Sequence, residues 1–299
     1  MRLVTFGDGR PRVGVIGEDG SVVALDDVVP GAPPDMIGVI EHWGDVEPRL
    51  RDPALRAVAG TPADRVRLLA PIPRPHNIFA VGWNYADHFM ESKSFHPAGG
   101  KTTADMPKHP TFFMKSTSSV VGPDAPVRHP GKHSSALDWE AELAVVIGKP
   151  GRDIPEDRAL EHVFGYTIAN DVSVRDHQRE RHGGQWIKGK IFDTHCPLGP
   201  WIVTADEIPD PQVLRIGSRI GGETMQDSST EHMVFGVARI LSELSVGVTI
   251  QPGDVVITGT PSGVGDGRTP PRYVKVGEVM EMWVEPIGVL RNKVVGYDS

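Results

Sequence analysis

Glu140 and Glu142 stand two residues apart in the run Leu137-Asp138-Trp139-Glu140-Ala141-Glu142-Leu143-Ala144-Val145-Val146-Ile147-Gly148, which is otherwise largely apolar. Side chains two apart on a strand share a face, so the two carboxylates project side by side. One parity carries Leu137, Trp139, Ala141, Leu143, Val145 and Ile147, and the other carries the acids. Neighbouring carboxylates repel and are costly to desolvate unless a cation or hydrogen-bond donors offset them. A bound hard cation is one reading; a wet face of ordinary surface charge is the other. Asp171, 29 residues beyond Glu142 at the end of an apolar run, could add a third carboxylate. It could equally cap the following helix or close a turn, and spacing alone does not choose. Three converging carboxylates would favour Mg²⁺, Mn²⁺ or Ca²⁺ over zinc or copper, with open positions for substrate or water.

His88 and Glu91 are three apart in a segment of helical character, where positions i and i+3 are neighbours. A carboxylate there could orient the imidazole as a general base, although most such pairs on a helix surface are solvated and idle. Lys190, in Trp186-Ile187-Lys188-Gly189-Lys190, could stabilise a developing enolate oxygen or lie on the surface. Gln226 and Thr260 could donate to a substrate or close their own turns. Nucleotide hydrolysis through a phosphate-binding G-x-x-x-x-G-K-[ST] loop is unsupported, and no G-x-S-x-G elbow occurs. The lone Cys196 excludes an intrachain disulfide and a cysteine-based zinc site.

The elements that must position these residues are short and strand-rich. Residues 1–70 read as a small N-terminal unit, with strands at Leu3–Phe6, Val13–Ile16 and Ser21–Leu25 and a helix from Asp35 to Arg51. Pro71-Ile72-Pro73-Arg74-Pro75 is a stiff connector to a unit spanning 71–299. There, Asn77–Gly82, Phe112–Lys115 and Phe164–Asp171 are expected strands. Tyr85–Ser92, Val174–Arg181 and Met233–Leu244 are expected helices, and Ser94–His109 reads as a mobile loop. With 27 Pro and 34 Gly in 299 residues, a strand-and-turn architecture follows. The net charge of −8 and the absence of a continuous basic patch argue against nucleic-acid or anionic-membrane partners. With no apolar leader and no run of membrane-spanning length, cytoplasmic residence is the expectation.

Seven segments occur together in order: residues 81–88 (Val-Gly-Trp-Asn-Tyr-Ala-Asp-His), 138–148, 169–176 (Ala-Asn-Asp-Val-Ser-Val-Arg-Asp), Gly189-Lys190, 196–200 (Cys-Pro-Leu-Gly-Pro), 225–228 (Met-Gln-Asp-Ser) and 252–265. In this ordered set the chain resembles the fumarylacetoacetate hydrolase family. The resemblance implies an α+β, strand-dominated fold, a mixed β-sandwich roll preceded by a small N-terminal α/β domain, in a homodimer. It implies a Mg²⁺ or Mn²⁺ site (Ca²⁺ in crystals) at Glu140, Glu142 and Asp171, with His88 and Glu91 activating water and Lys190 beside a small-molecule 2-oxo acid. Arg175, Gln226 and Thr260 would contact that substrate. The leading expectation is a hydrolase cleaving a C–C bond in an acylpyruvate-type 2,4-dioxo acid. The alternatives are a 2-hydroxyhepta-2,4-diene-1,7-dioate-type isomerase, an oxaloacetate-type decarboxylase, or a diacid-binding protein without turnover. Gly221, Gly277-Glu278, Ile191 and His195 depart from the family's usual residues and are expected near the pocket, where they would alter substrate choice.

Overall fold

The computed structural model describes residues 1–52, 58–92 and 101–299. The acidic run forms the middle of a large mixed sheet. Strands β1 (Arg2–Phe6), β2 (Arg12–Ile16) and β3 (Ser21–Ala24) form an antiparallel meander through turns that include Gly7-Asp8-Gly9 and Glu18-Asp19-Gly20. The sheet continues with β4 (Ile78–Gly82), β5 (Thr111–Lys115), β6 (Ala141–Ile147), β7 (Val163–Asn170), β8 (Cys196–Thr204) and β9 (Val255–Ile257). Its order is β3-β2-β1-β8-β7-β6-β9-β4-β5. The N-terminal meander therefore joins the rest by main-chain pairing of Leu3 with Ile202. A second sheet contains β10 (Arg215–Ile220), β11 (Glu223–Ser229), β12 (Val279–Val284) and β13 (Gly288–Val295), in the order β11-β10-β12-β13. The strand-dominated α+β mixed-sheet fold is as the sequence indicated.

Both faces of β6 are covered, which a strand paired on both edges near the centre of a fold requires. Leu143, Val145 and Ile147 join a core with Ile216, Met282 and Leu290 of the second sheet. Ala144 and Val146 face the other core, with Leu3, Val39 and Ile40 of the N-terminal segment. The expected single strand over 137–148 is interrupted: Leu137 and Asp138 pair with Ser173 and Val174 before β6 begins at Ala141.

Two expected helices are reshaped by local contacts. The segment Asp35 to Arg51 is two helices, Met36–Glu41 and Trp43–Leu50, because His42 leaves helical geometry at φ −106° and ψ 22°. The expected helix at Met233 begins only at Val237 and runs to Ser245. Asn84 captures the preceding residues: its side chain donates to the carbonyls of Phe235 and Thr258 at 2.9 and 2.8 Å and accepts from the Phe235 amide at 2.8 Å. Of the loop expected at 94–109, the first seven residues lie outside the described residues; the remainder contains one short turn, Thr103–Asp105.

Asn84 is wholly buried, so Asn84→Ala strands three backbone groups without partners. Each such loss costs about 1–3 kcal/mol; we expect a total of about 3 kcal/mol, read as a lower denaturation midpoint at unchanged m-value. A loss below about 1 kcal/mol would show that water or neighbouring groups replace the amide.

Candidate active site

Strand register brings the three acids together. Ala141 pairs with Asn170 and Glu142 with Ala169, so one step outward sets Glu140 opposite Asp171, whose amide donates to the Glu140 carbonyl at 3.0 Å. Carboxylate oxygens of Glu140, Glu142 and Asp171 lie within 4.8 Å of one another. All three side chains are buried, so the wet-face reading fails.

Buried carboxylates demand partners, and most here have them. Lys190 Nζ donates to Glu140 Oε2 at 2.8 Å and to Asp171 Oδ2 at 2.7 Å. Arg175 reaches Glu140 Oε1 through Nη1 and Asp138 Oδ2 through Nε, both at 2.7 Å. Lys115 Nζ, also buried, donates to Asp171 Oδ1 at 2.6 Å. Burial alone would raise the Glu140 carboxyl, but Lys190 and Arg175 outweigh it and hold the group well below the usual carboxylate range. Burial disfavours the Lys190 ammonium, yet Asp171 and Glu140 more than restore its charge.

Glu142 is the exception. Its Oε2 accepts from the Gly259 amide at 2.6 Å, and among the described residues no side-chain cation pairs with it. Burial, then the charges of Asp171 and Glu140, push its carboxyl well above the ordinary range. Among the described residues, Glu142 is thus the one carboxylate of the three without a paired cation. An all-oxygen donor set with such an uncompensated member fits a divalent hard cation, which would compete with a proton for Glu142.

The His88–Glu91 pair is also formed. It sits on the helix Ala86–Glu91, where His88 Nδ1 lies 2.9 Å from Glu91 Oε1. A carboxylate only accepts, so Nδ1 carries the proton and Nε2 is left as the basic nitrogen. Glu91 is anchored in turn by the Gly263 amide, at 3.1 and 3.0 Å to its two oxygens, and by the Val264 amide at 3.4 Å. His88 lines the same pocket as Glu140, Glu142, Arg175, Lys190 and Thr260.

The remaining expected contacts divide. Arg175 and Thr260 border the pocket, and Arg175 Nη2 is buried without a hydrogen-bond partner among the described residues. Gln226 is committed to protein groups: Oε1 accepts from the Ala141 amide and Ser218 Oγ, while Nε2 donates to Thr260 Oγ1 and the Pro261 carbonyl. It braces β6 and the 260 turn. Ile191 and His195, expected near the pocket, line a separate cleft with Arg128 and Phe192. Gly221 and Glu278 meet where the β10–β11 turn approaches the start of β12. Lys115, Asp138 and Asp266 join the charged network without having been singled out from the sequence. Lys115 ends an ordinary alternating strand, and nothing local marks it.

Comparison with known proteins places the chain in context. Residues 77–295 match the family described as fumarylacetoacetate (FAA) hydrolase C-terminal. The chain is 42% identical over 300 residues to the mitochondrial oxaloacetate tautomerase fahd2 of Xenopus laevis, covering 99% of this chain and 90% of that protein. Among solved structures, a fumarylacetoacetate hydrolase from psychrophilic Exiguobacterium antarcticum superposes with a TM-score of 0.84 at 40% identity, over 99% of each chain. A maleylpyruvate hydrolase from Sphingobium sp. SYK-6, in complex with manganese(II) and pyruvate, gives 0.80 at 29% identity, again over 99% of each.

Glu142→Gln should weaken Mn²⁺ binding at least tenfold by calorimetry. In the unsubstituted protein, binding at pH values below the raised titration range of Glu142 should release a proton, detected with buffers of different ionisation enthalpy. Affinity should therefore fall as pH is lowered, because proton and cation compete for Glu142. Undiminished Mn²⁺ affinity in the variant would place the cation elsewhere.

Proposed function

This chain belongs to the fumarylacetoacetate hydrolase family, and from that premise we propose that it interconverts the keto and enol forms of a short 2-oxo dioate of the oxaloacetate type, using Mg²⁺ or Mn²⁺. The observation that carries the reading is the buried Nη2 of Arg175, without a hydrogen-bond partner among the described residues, on a side chain that borders the pocket shared by Glu140, Glu142 and His88. An unsatisfied guanidinium donor is costly to bury. A second carboxylate on the substrate satisfies it.

Glu140, Glu142 and Asp171 would hold the cation, which when bound supplies a Lewis acid that lowers the energy of charge on an enolising 2-oxo group. His88 Nε2 takes a proton from C3, and Glu91 stabilises the imidazolium that forms. Backbone amides of Gly263 and Val264 hold Glu91 in place. Lys190 spends two of its three N–H donors on Glu140 and Asp171. The third can meet negative charge developing on the substrate oxygen. Return of the proton from His88 to that oxygen completes the enol. The name of the 42%-identical Xenopus relative, an oxaloacetate tautomerase, supports this ranking over the C–C hydrolase that leads on sequence alone.

A second reading keeps hydrolysis of an acylpyruvate-type 2,4-dioxo acid. The anchored His88–Glu91 pair favours it, since the same base could take a proton from water. The maleylpyruvate hydrolase likeness supports it.

The test is decay of enol absorbance after oxaloacetate is added to chelator-stripped protein, with and without Mg²⁺ or Mn²⁺. Acetylpyruvate and fumarylpyruvate are assayed in parallel, with products identified by mass. Cation-dependent enol–ketone exchange with no mass change is expected, and His88→Asn should slow it by about 10²–10⁴. Cleavage of an acylpyruvate to pyruvate and an acid, without faster tautomerisation, would establish the hydrolase instead.

A further inference from the structure

The pocket over the carboxylates has a second wall, made of aromatic rings. Trp83, Phe113 and Trp186 face the polar side formed by His88, Glu140, Glu142 and Lys190. Trp186 is the central ring. It meets Trp83 edge-on at 4.6 Å between centroids and 82°, and Phe113 at 5.6 Å and 74°. Its approach depends on Gly82, where an added Cβ would lie 2.2 Å from Trp186 Cζ3 and 2.8 Å from Cη2. Trp83 adopts a left-handed backbone at φ 56°, a costly geometry for an aromatic residue. Strain of that kind persists only where the surroundings enforce it.

Trp186 is also tied to the charged centre. It immediately precedes the helical turn Ile187–Lys190, whose last residue is the lysine that pairs with Glu140 and Asp171. That turn is held tightly against the helix Arg175–Arg179, since a Cβ at Gly189 would fall 2.6 Å from the Gln178 amide nitrogen. The backbone at Trp186 therefore has little freedom to retreat, and a bound molecule must fit beneath the ring or turn it away from Gly82.

We propose that Trp186, seated on Gly82, is the specificity-determining residue that limits this site to short-tailed 2-oxo acids. This deepens the reading under Proposed function and rests on it for the substrate's head group. A four-carbon acid places little beyond C3 against the indole. Each added methylene or planar tail must displace the ring and break its contacts with Trp83 and Phe113.

The experiment compares the Mn²⁺-loaded protein with Trp186→Ala and Trp186→Phe on oxaloacetate and on acylpyruvates of increasing tail length. In parallel, calorimetry measures binding of the unreactive dicarboxylates from malonate to adipate. Trp186→Ala should raise the ratio of kcat/KM for long over short substrates at least tenfold, with Trp186→Phe intermediate. Dicarboxylate affinity should stop falling with length in the alanine variant. Mn²⁺ affinity serves as the check that the centre remains folded. An unchanged length dependence in both variants, at unchanged Mn²⁺ affinity, would overturn the proposal. Should the unsubstituted protein turn over none of the oxo acids, the functional reading falls, and the dicarboxylate series still decides whether Trp186 sets length.

Discussion

The antiparallel register between Ala141–Ile147 and Val163–Asn170 is the constraint on which the site depends. Pairing Ala141 with Asn170 leaves Glu140 and Asp171 facing each other one step beyond the ladder. A slip of one residue would turn Glu142 into the core that holds Leu143 and Val145, and would move Asp171 away from its partner. Both faces of the strand are packed, so register is fixed by two cores at once.

That location sets the electrostatics. Carboxylates at the end of a strand buried on both sides are denied water, so the protein supplies Lys190, Arg175 and Lys115 from three different segments. Such networks contribute little net stability, because desolvation offsets most of the attraction. Their effect is to hold Glu140 ionised and to fix the orientation of Glu140 and Asp171. Glu142, whose one hydrogen-bond partner among the described residues is the Gly259 amide, is the member that a divalent cation would complete. The His88–Glu91 pair is built on a separate rule: Glu91 is fixed by main-chain amides at Gly263 and Val264, so the imidazole is oriented by backbone that side-chain motion does not disturb.

Glycine contacts shape the opposite wall. Gly82 admits the Trp186 ring and Gly189 allows its helix to press on Gln178. Polar chemistry and steric selection thus occupy facing sides of one pocket, and the turn Ile187–Lys190 contributes to both.

Much was legible in the sequence because it is written in local pattern. Alternation placed Glu140 and Glu142 on one face, and the i, i+3 spacing of His88 and Glu91 requires only one helical turn. The order of motifs carried the family, and with it the fold class. Tertiary structure decided the rest. Asp171 joined the acids through a pairing register that no spacing encodes. Lys115 gained its role because β5 delivers its last residue beneath Asp171, a long-range contact without local signature. Gln226 became a brace rather than a pocket donor because the strand it sits on faces β6 and the 260 turn, which absorb all its hydrogen-bonding capacity. The helix expected at Met233 gave way to the Asn84 clamp for the same reason: intrinsic periodicity is worth tenths of a kcal/mol per residue, whereas a buried amide with three partners is worth several times more.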